Sequence, residues 1–223
     1  MVTLKALLPM KGHSERIPNK NLKSFNGKPL FHCILTKLDV IESIEQIIIN
    51  TDSGKIAESA TGISSKVVIH ERPSKLCGDT VPMNDIINYD ISNSLGEHYL
   101  QTHSTNPLIK PTTLAAAINT YFKKIPEFDS LFTVTKWQTR LYWENGNPIN
   151  HNPEELVRTQ DLPPVFEENS NAYIFSKKSF HNSQNSRIGK KPLMFEIGKI
   201  ESIDIDEPQD FLIAEKLHNS CEE

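Results

Sequence analysis

The sequence predicts an α/β fold, a mostly parallel sheet with helices on both faces, and three observations carry that expectation. Short apolar runs of strand length alternate along the chain with stretches of helical period. Several of those runs are apolar throughout, as strands buried on both faces are. The first run, Leu4, Ala6, Leu7 and Leu8, stops at Pro9 and opens at once into a polar loop with Gly12, Ser14, Arg16 and Lys20. A loop at the carboxyl end of a buried strand is where such sheets bind ligands.

The elements follow in order. Pro29, at a first helical position, opens a helix from Leu30 to Val40 with Leu30, Ile34, Leu38 and Ile41 on one face. Gln46 to Asn50 is a buried strand ended by the turn or cap Thr51-Asp52-Ser53-Gly54, then a short helix covers Lys55 to Ala60 and a strand Lys66 to Ile69. After the loop Arg72 to Thr80, a helix is expected from Thr80 to Leu95 through Ile86, Ile87 and Ile91, with Asp79 and Thr80 as its cap. His98 to Gln101 is a fourth strand, Pro111 to Phe122 an amphipathic helix, and Leu131 to Val134 a fifth strand. From Lys136 to Glu168 the alternation fails: Gly146, Pro148, Pro153, Pro163 and Pro164 interrupt it, and Trp137 and Trp143 fall within it. An irregular excursion of that length is either functional or an interaction arm. Tyr173-Ile174-Phe175 reads as a central strand, Ser176 to His181 as a short helix and Arg187 to Pro192 as a basic loop. Ile203-Asp204-Ile205-Asp206 alternates, which as a strand puts both carboxylates on one side, and Pro208 opens a closing helix.

Length and composition bound the function. At 223 residues the chain fits one large domain, residues 1–223, or a domain with an appendage. A hydrophobic fraction of 37% and a charged fraction of 23% belong to a soluble protein, and no apolar run approaches a membrane span. Met1-Val2-Thr3 leads straight into strand-like sequence, so the expected location is cytoplasmic. Cys33, Cys77 and Cys221 suggest neither a disulfide framework nor a zinc site, and Cys33, beside Ile34 and Leu35, reads as core. A net charge of -4 argues against a nucleic-acid surface. Against that balance, Met1 to Lys28 carries six Lys or Arg and one acid, Glu15, about +5. A small polyanion suits that stretch, with backbone N–H groups near Gly12 backed by lysine point charges. The spacing matches neither G-x-x-x-x-G-K-[ST] nor G-x-G-x-x-G, which excludes those two common nucleotide motifs.

The run from Leu7 to Phe31 resembles the signature of the acylneuraminate (CMP-sialic acid and CMP-nonulosonate) cytidylyltransferase family, in general form I-P-A-R-x-G-S-K-x-I-P-x-K-N. Pro9, Ser14, Ile17, Pro18, Lys20 and Asn21 match; Lys11 stands for Arg, His13 for Gly and Glu15 for Lys, with Arg16 shifted by one from that lost cation. Three further patches resemble the family in its order. Leu100, Gln101, Ser104, Pro107 and Leu108 keep the outline of L-Q-P-T-S-P-L-R. Arg158-Thr159-Gln160-Asp161-Leu162-Pro163 and Asn169-Ser170-Asn171-Ala172-Tyr173-Ile174 follow its Arg-Arg-Gln-Asp-x-Pro and Asn-Gly-Ala-x-Tyr-Ile. Asp204, Asp206, Asp210, Ala214 and Glu215 reproduce D-I-D-x-x-x-D-x-x-x-A-E.

The resemblance implies a three-layer nucleotide-diphospho-sugar transferase fold with a protruding arm, residues 136–168, that pairs two subunits of a homodimer. It implies transfer of CMP from CTP to a sialic-acid-like 2-keto sugar acid, releasing pyrophosphate. Pro9, Met10, Lys11, Gly12, Ser14, Lys20 and Asn21 are then nucleotide-binding, with Asp79 and Thr80 at the cytosine, where Val81-Pro82-Met83 departs from the family. Gln101, Gln160 and Asn169 face the acceptor, Asp204 and Asp206 hold Mg²⁺, and Lys11, Lys20, Arg158 and Asp206 are the catalytic set. His13 and His103 are candidates for a base. The alternatives are CMP transfer to another acid, such as a keto-deoxy sugar acid or a phosphonate, and a non-catalytic CTP sensor.

Overall fold

The computed structural model describes residues 2–125 and 127–221. The first run of apolar residues becomes β1 (Leu4–Leu7), and a two-stranded hairpin, β2 (Ser24–Phe25) and β3 (Lys28–Pro29), leads into α1 (Leu30–Asp39). There follow β4 (Ile44–Thr51), α2 (Gly54–Thr61), β5 (Val67–Glu71), α3 (Met83–Ser92), β6 (His98–Gln101), α4 (Pro111–Lys124), β7 (Ser130–Trp137), β8 (Val165–Ser176), α5 (Lys177–Asn182), β9 (Pro192–Glu196) and α6 (Pro208–Cys221). Seven strands form one sheet in the order β5-β4-β1-β6-β8-β7-β9. All its pairings are parallel except those of β8, which runs against both β6 and β7.

Strand alternation assigns the helices to two faces. Leu4, Ala6, Ile47, Ile49, Leu100 and Ile174 point to one side and pack with α1, α2 and α4 through Ile34, Ile56 and Ile118. Leu7, Ile48, Tyr99, Tyr173 and Phe175 point to the other and pack with α3 and α5 through Ile87, Ile91 and Phe180. That is a three-layer α/β sandwich, as the pattern of apolar runs implies. A third cluster, with Phe25, Leu108, Ile205 and Phe211, anchors α6 beside the hairpin, and Cys33 packs against it.

The structure corrects four expectations. The helix expected from Thr80 begins at Met83 with Pro82 as its N-cap, so Asp79 and Thr80 lie in the loop before it and cap nothing. Ile203 to Asp206 belongs to no strand; its Ile205 N–H donates to the Thr105 carbonyl at 2.9 Å. The irregular segment is shorter than Lys136 to Glu168, because both its ends are sheet: Lys136 pairs with Phe166 and Trp137 with Val165. Pro29 is the N-cap of α1, one position before the N1 place assigned to it. Of the cysteines, the Cys221 side chain lies outside the described residues.

Candidate active site

The loop after β1 keeps close to the neighbouring strand before it leaves the sheet. Leu8 N–H donates to Ile48 O at 2.8 Å and Met10 N–H to Asn50 O at 2.9 Å. Gly12 N–H then donates to Asp52 Oδ1 at 2.7 Å, and a Cβ on Gly12 would sit 2.9 Å from that of Ser53, so only glycine fits without displacement. Beneath, Arg72 Nε donates to Asn50 Oδ1 at 2.7 Å and Asn50 Nδ2 to the buried Asp90 at 2.7 Å, bracing the strand end. Asn21 is buried and ties the far end of the loop down: its Nδ2 donates to Lys11 O at 2.9 Å, while its Oδ1 accepts from Ser104 Oγ at 2.6 Å.

A cleft of about 330 Å³ opens at this edge of the sheet. One wall is the β1 loop, with Pro9, Met10, Lys11, Ser14, Lys20 and Asn21. Asp204 and Asp206, from the segment before α6, stand beside it, and Met83 at the start of α3 closes one end. The other wall is made by the segment after β6, the middle of β8 and the loop after α5, with His103, Ser104, Ser170 and Arg187. A smaller pocket shares Lys11, Ser14 and Lys20 and adds Glu15, Arg16 and Asp79. Thus Arg16, one position along from the family's lysine, delivers a cation where Glu15 does not.

The β1 wall is counter-charged. Lys11 is hydrogen-bonded to Asp79, whose carboxyl that bond holds below its usual range. Arg16 Nη2 lies 3.0 Å from Asp206 Oδ1, and Lys20 Nζ lies 3.9 Å from it while donating to Ile205 O at 2.5 Å. Burial lowers the Lys20 pKa, and Asp206 only partly offsets it. Asp204 is half-buried, its pKa is raised chiefly by desolvation, and its Oδ1 is buried with no hydrogen-bond partner. An orphaned carboxylate oxygen next to a second carboxylate in the same cleft fits a hard divalent cation that takes its other ligands from a substrate. Among the described residues no group of three or more His, Cys, Asp or Glu is arranged to hold a metal alone.

The other wall is different. Arg187 Nη1 donates to Gln101 Oε1 at 2.6 Å, Nη2 donates to the Tyr173 hydroxyl at 3.1 Å, and the guanidinium lies over the Tyr173 ring at 3.7 Å. Gln101 is fully buried, and since Arg187 can only donate, its Oε1 faces Arg187 and its Nε2 faces His103 Nε2 at 3.0 Å. The His103 Nε2 lone pair is therefore occupied, and burial, with Arg187 and Lys20 nearby, pushes its pKa down to about 3.

The remaining expected site residues fall outside the cleft lining. Gly12 acts through its backbone, and Thr80 is exposed in the loop before α3. Gln101 and Asn169 are buried behind the wall, Asn169 donating to Thr135 Oγ1 at 3.0 Å. Arg158 is exposed on the arm, its Nε 2.7 Å from Asp161 Oδ2, and the Gln160 carbonyl accepts from Gln138 Nε2 at 2.6 Å. His13 is exposed and does not line the cleft. Sequence reasoning missed Arg187, which sits in the run taken as a basic loop.

A profile of the Cytidylyltransferase family matches residues 5–217. The chain belongs to that family. It is therefore a CTP-dependent nucleotidyltransferase. It is similar to the CMP-N,N'-diacetyllegionaminic acid synthase of Legionella pneumophila, with 29% identity over 95% of this chain and 94% of the relative. It is also similar to N-acylneuraminate cytidylyltransferase A of Danio rerio, with 28% identity over 96% of this chain, which spans 50% of that relative. Among solved structures, CMP:2-keto-3-deoxy-manno-octonic acid synthetase complexed with CTP superposes with a TM-score of 0.70 at 11% identity, covering 98% of this chain and 99% of that one. A 4-diphosphocytidyl-2C-methyl-D-erythritol synthase gives 0.69 at 12% identity, covering 98% and 100%. At those identities the superpositions establish the three-layer fold.

Proposed function

We propose that this cytidylyltransferase transfers CMP from CTP to a sialic-acid-like 2-keto sugar acid, an acylneuraminate or another nonulosonate, and releases pyrophosphate. The observation that carries the reading is the convergence of Lys11, Arg16 and Lys20 with the Asp204–Asp206 pair at the end of β1. The similarity to synthases of CMP-legionaminic acid and CMP-sialic acid supports the acceptor class.

In this reading the anomeric hydroxyl oxygen attacks the α-phosphorus in line, its bond to the β-phosphate oxygen breaks, and pyrophosphate leaves with the electron pair. Lys11, Arg16 and Lys20 hold the triphosphate and oppose the charge that grows on the leaving group. Asn21 fixes the loop from which those cations reach. Asp204 and Asp206 would hold Mg²⁺, which when bound supplies further neutralisation of phosphate charge. With its Nε2 occupied and its pKa near 3, His103 is not the base that takes the hydroxyl proton.

The reading includes one domain over residues 1–223 and a homodimer that uses residues 136–168. Exposed Trp143, Leu156 and Phe166 on that segment suit a partner surface, which would also decide where Arg158 and Gln160 act. Sedimentation of a fully active monomer at micromolar concentration would reject the dimer. Among the described residues no helix is long and apolar enough to cross a membrane. A reaction that consumes CTP belongs in the cytosol, where nucleoside triphosphates are kept.

Incubating the protein with CTP, ATP, GTP or UTP and a panel of sugar acids, keto acids and phosphonates, and following pyrophosphate, tests the reaction. Release with CTP and a nonulosonate is expected. Release only with another acid moves the acceptor class, and CTP binding without release to any acid favours a sensor.

A further inference from the structure

Arg187 is a cation with no carboxylate bonded to it among the described residues. No ion pair among the described residues includes it, whereas Lys11, Arg16 and Lys20 on the facing wall each lie within reach of a carboxylate. Its partners, Gln101 Oε1, the Tyr173 hydroxyl and, at 3.5 Å, His103 Nε2, are neutral. Glu168 accepts from the Tyr173 hydroxyl and favours the Arg187 charge through space, but it is not bonded to the guanidinium. A half-buried guanidinium held by dipoles, with no carboxylate bonded to it, at the edge of a cleft is complementary to an anion.

The loop that carries it is built to hold still. Gly189 N–H donates to Ser130 Oγ at 2.8 Å, and the N–H groups of Lys190 and Lys191 donate to Asp129 at 2.8 and 3.0 Å. A Cβ on Gly189 would lie 2.0 Å from Asp129 Oδ1, so this clamp closes only over glycine. On the other side Gln101 is itself fixed, donating to Thr102 O at 3.0 Å. The guanidinium is therefore pre-oriented before any ligand arrives, which lowers the ordering cost of binding.

We infer that Arg187 is the residue that reads the acceptor's carboxylate, and that it sets the enzyme's preference for an acid over a neutral sugar. The inference rests on the acceptor class of the preceding subsection. The triphosphate has its own cations on the β1 wall, and Arg187 lines the main cleft but not the smaller pocket around Arg16. Nucleotide and acceptor thus meet opposite walls, each with its own positive charge. Gln101 acts through Arg187 as a positioning residue.

The test compares wild type, Arg187→Gln, Arg187→Lys and Gly189→Ala. N-Acetylneuraminate, 2-keto-3-deoxy-manno-octonate and the neutral C1 amide of each are titrated calorimetrically into protein loaded with CTP in EDTA, which prevents turnover, and CTP affinity is measured separately. The expected result is that wild type prefers at least one acid over its amide, and that Arg187→Gln weakens that acid by about 10- to 100-fold while leaving the amide unchanged. Arg187→Lys should restore part of the preference, Gly189→Ala should resemble Arg187→Gln, and all four should bind CTP equally. Equal acid affinity in wild type and Arg187→Gln overturns the assignment, as does an equal loss of CTP affinity, which would make Arg187 a phosphate ligand. An acid bound through Arg187 but never converted, with no pyrophosphate released in Mg²⁺, upholds Arg187 and overturns the reaction proposed above. No acid bound by wild type overturns both.

Discussion

The two walls of the cleft carry positive charge in opposite ways. On the β1 wall the cations are partly exposed and already paired, Lys11 with Asp79 and Arg16 and Lys20 with Asp206. On the β6–β8 wall no carboxylate of the described residues is bonded to Arg187, and neutral groups fix it in place. Exposed ion pairs contribute roughly 0–1 kcal/mol each, so a triphosphate can displace them at small cost. In the proposed reading the first wall exchanges partners when its ligand arrives, which would free Asp206 for a cation, and the second waits in its bound geometry. A wall that exchanges partners suits a flexible, highly charged nucleotide; a fixed one suits discrimination among small acids.

The largest effect expected of that contrast lies at the carboxylates. Asp206→Asn and Asp204→Asn should each lower turnover by about two or more orders of magnitude, roughly 3 kcal/mol of transition-state stabilisation. The near-isosteric amides should keep the fold. Near wild-type turnover in both variants at limiting Mg²⁺ would reduce the pair to a structural feature and place any catalytic metal elsewhere.

Next in size is Asn21→Ala, which unties the exchanging wall from β6. It leaves the buried Ser104 hydroxyl and the Lys11 carbonyl without their partner and should cost about 1–3 kcal/mol of stability. The checkable result is a lower urea midpoint with an unchanged slope, together with weaker CTP binding. A variant with wild-type stability and CTP affinity would mean that the loop is ordered by other contacts.

Smaller again is a pH effect confined to the fixed wall. His103 titrates near 3 in the folded protein and near 6.5 when unfolded, so between those values the unfolded chain binds more protons. Its contribution to stability is complete above pH 6.5 and is lost as pH falls towards 3. Wild type should therefore lose Tm on acidification through that window more steeply than His103→Gln. Parallel curves would contradict a buried neutral imidazole.

Much of this was legible in the sequence, for physical reasons that can be named. β1 and β4 announce themselves because strands inside the sheet, covered on both faces, carry apolar runs, and the cationic loop after β1 shows because its charge contrasts with the chain's net -4. β9 does not, since a half-exposed edge strand that begins with Pro192 offers no such run. Ile203 to Asp206 alternates like a strand because Ile205 is buried against α6, a pattern that a loop satisfies equally well. Thr80 looks like a cap, yet Pro82 fixes the helix start later. Arg187 was hidden because a single Arg in a basic, polar loop has the composition of a solvated surface. Its meaning lies in a contact with Gln101, 86 residues away, which no local pattern records.

The most direct test of the exchanging wall is a calorimetric titration of CTP into wild type and Lys20→Ala at neutral pH. Burial disfavours the Lys20 charge and Asp206 offsets that only in part, so a triphosphate is the ligand that would reverse the remaining penalty. Lys20→Ala should bind CTP about 10- to 100-fold more weakly and bind the acceptor acid as wild type does. Equal CTP affinity in the two proteins would contradict the assignment of the β1 loop to the triphosphate.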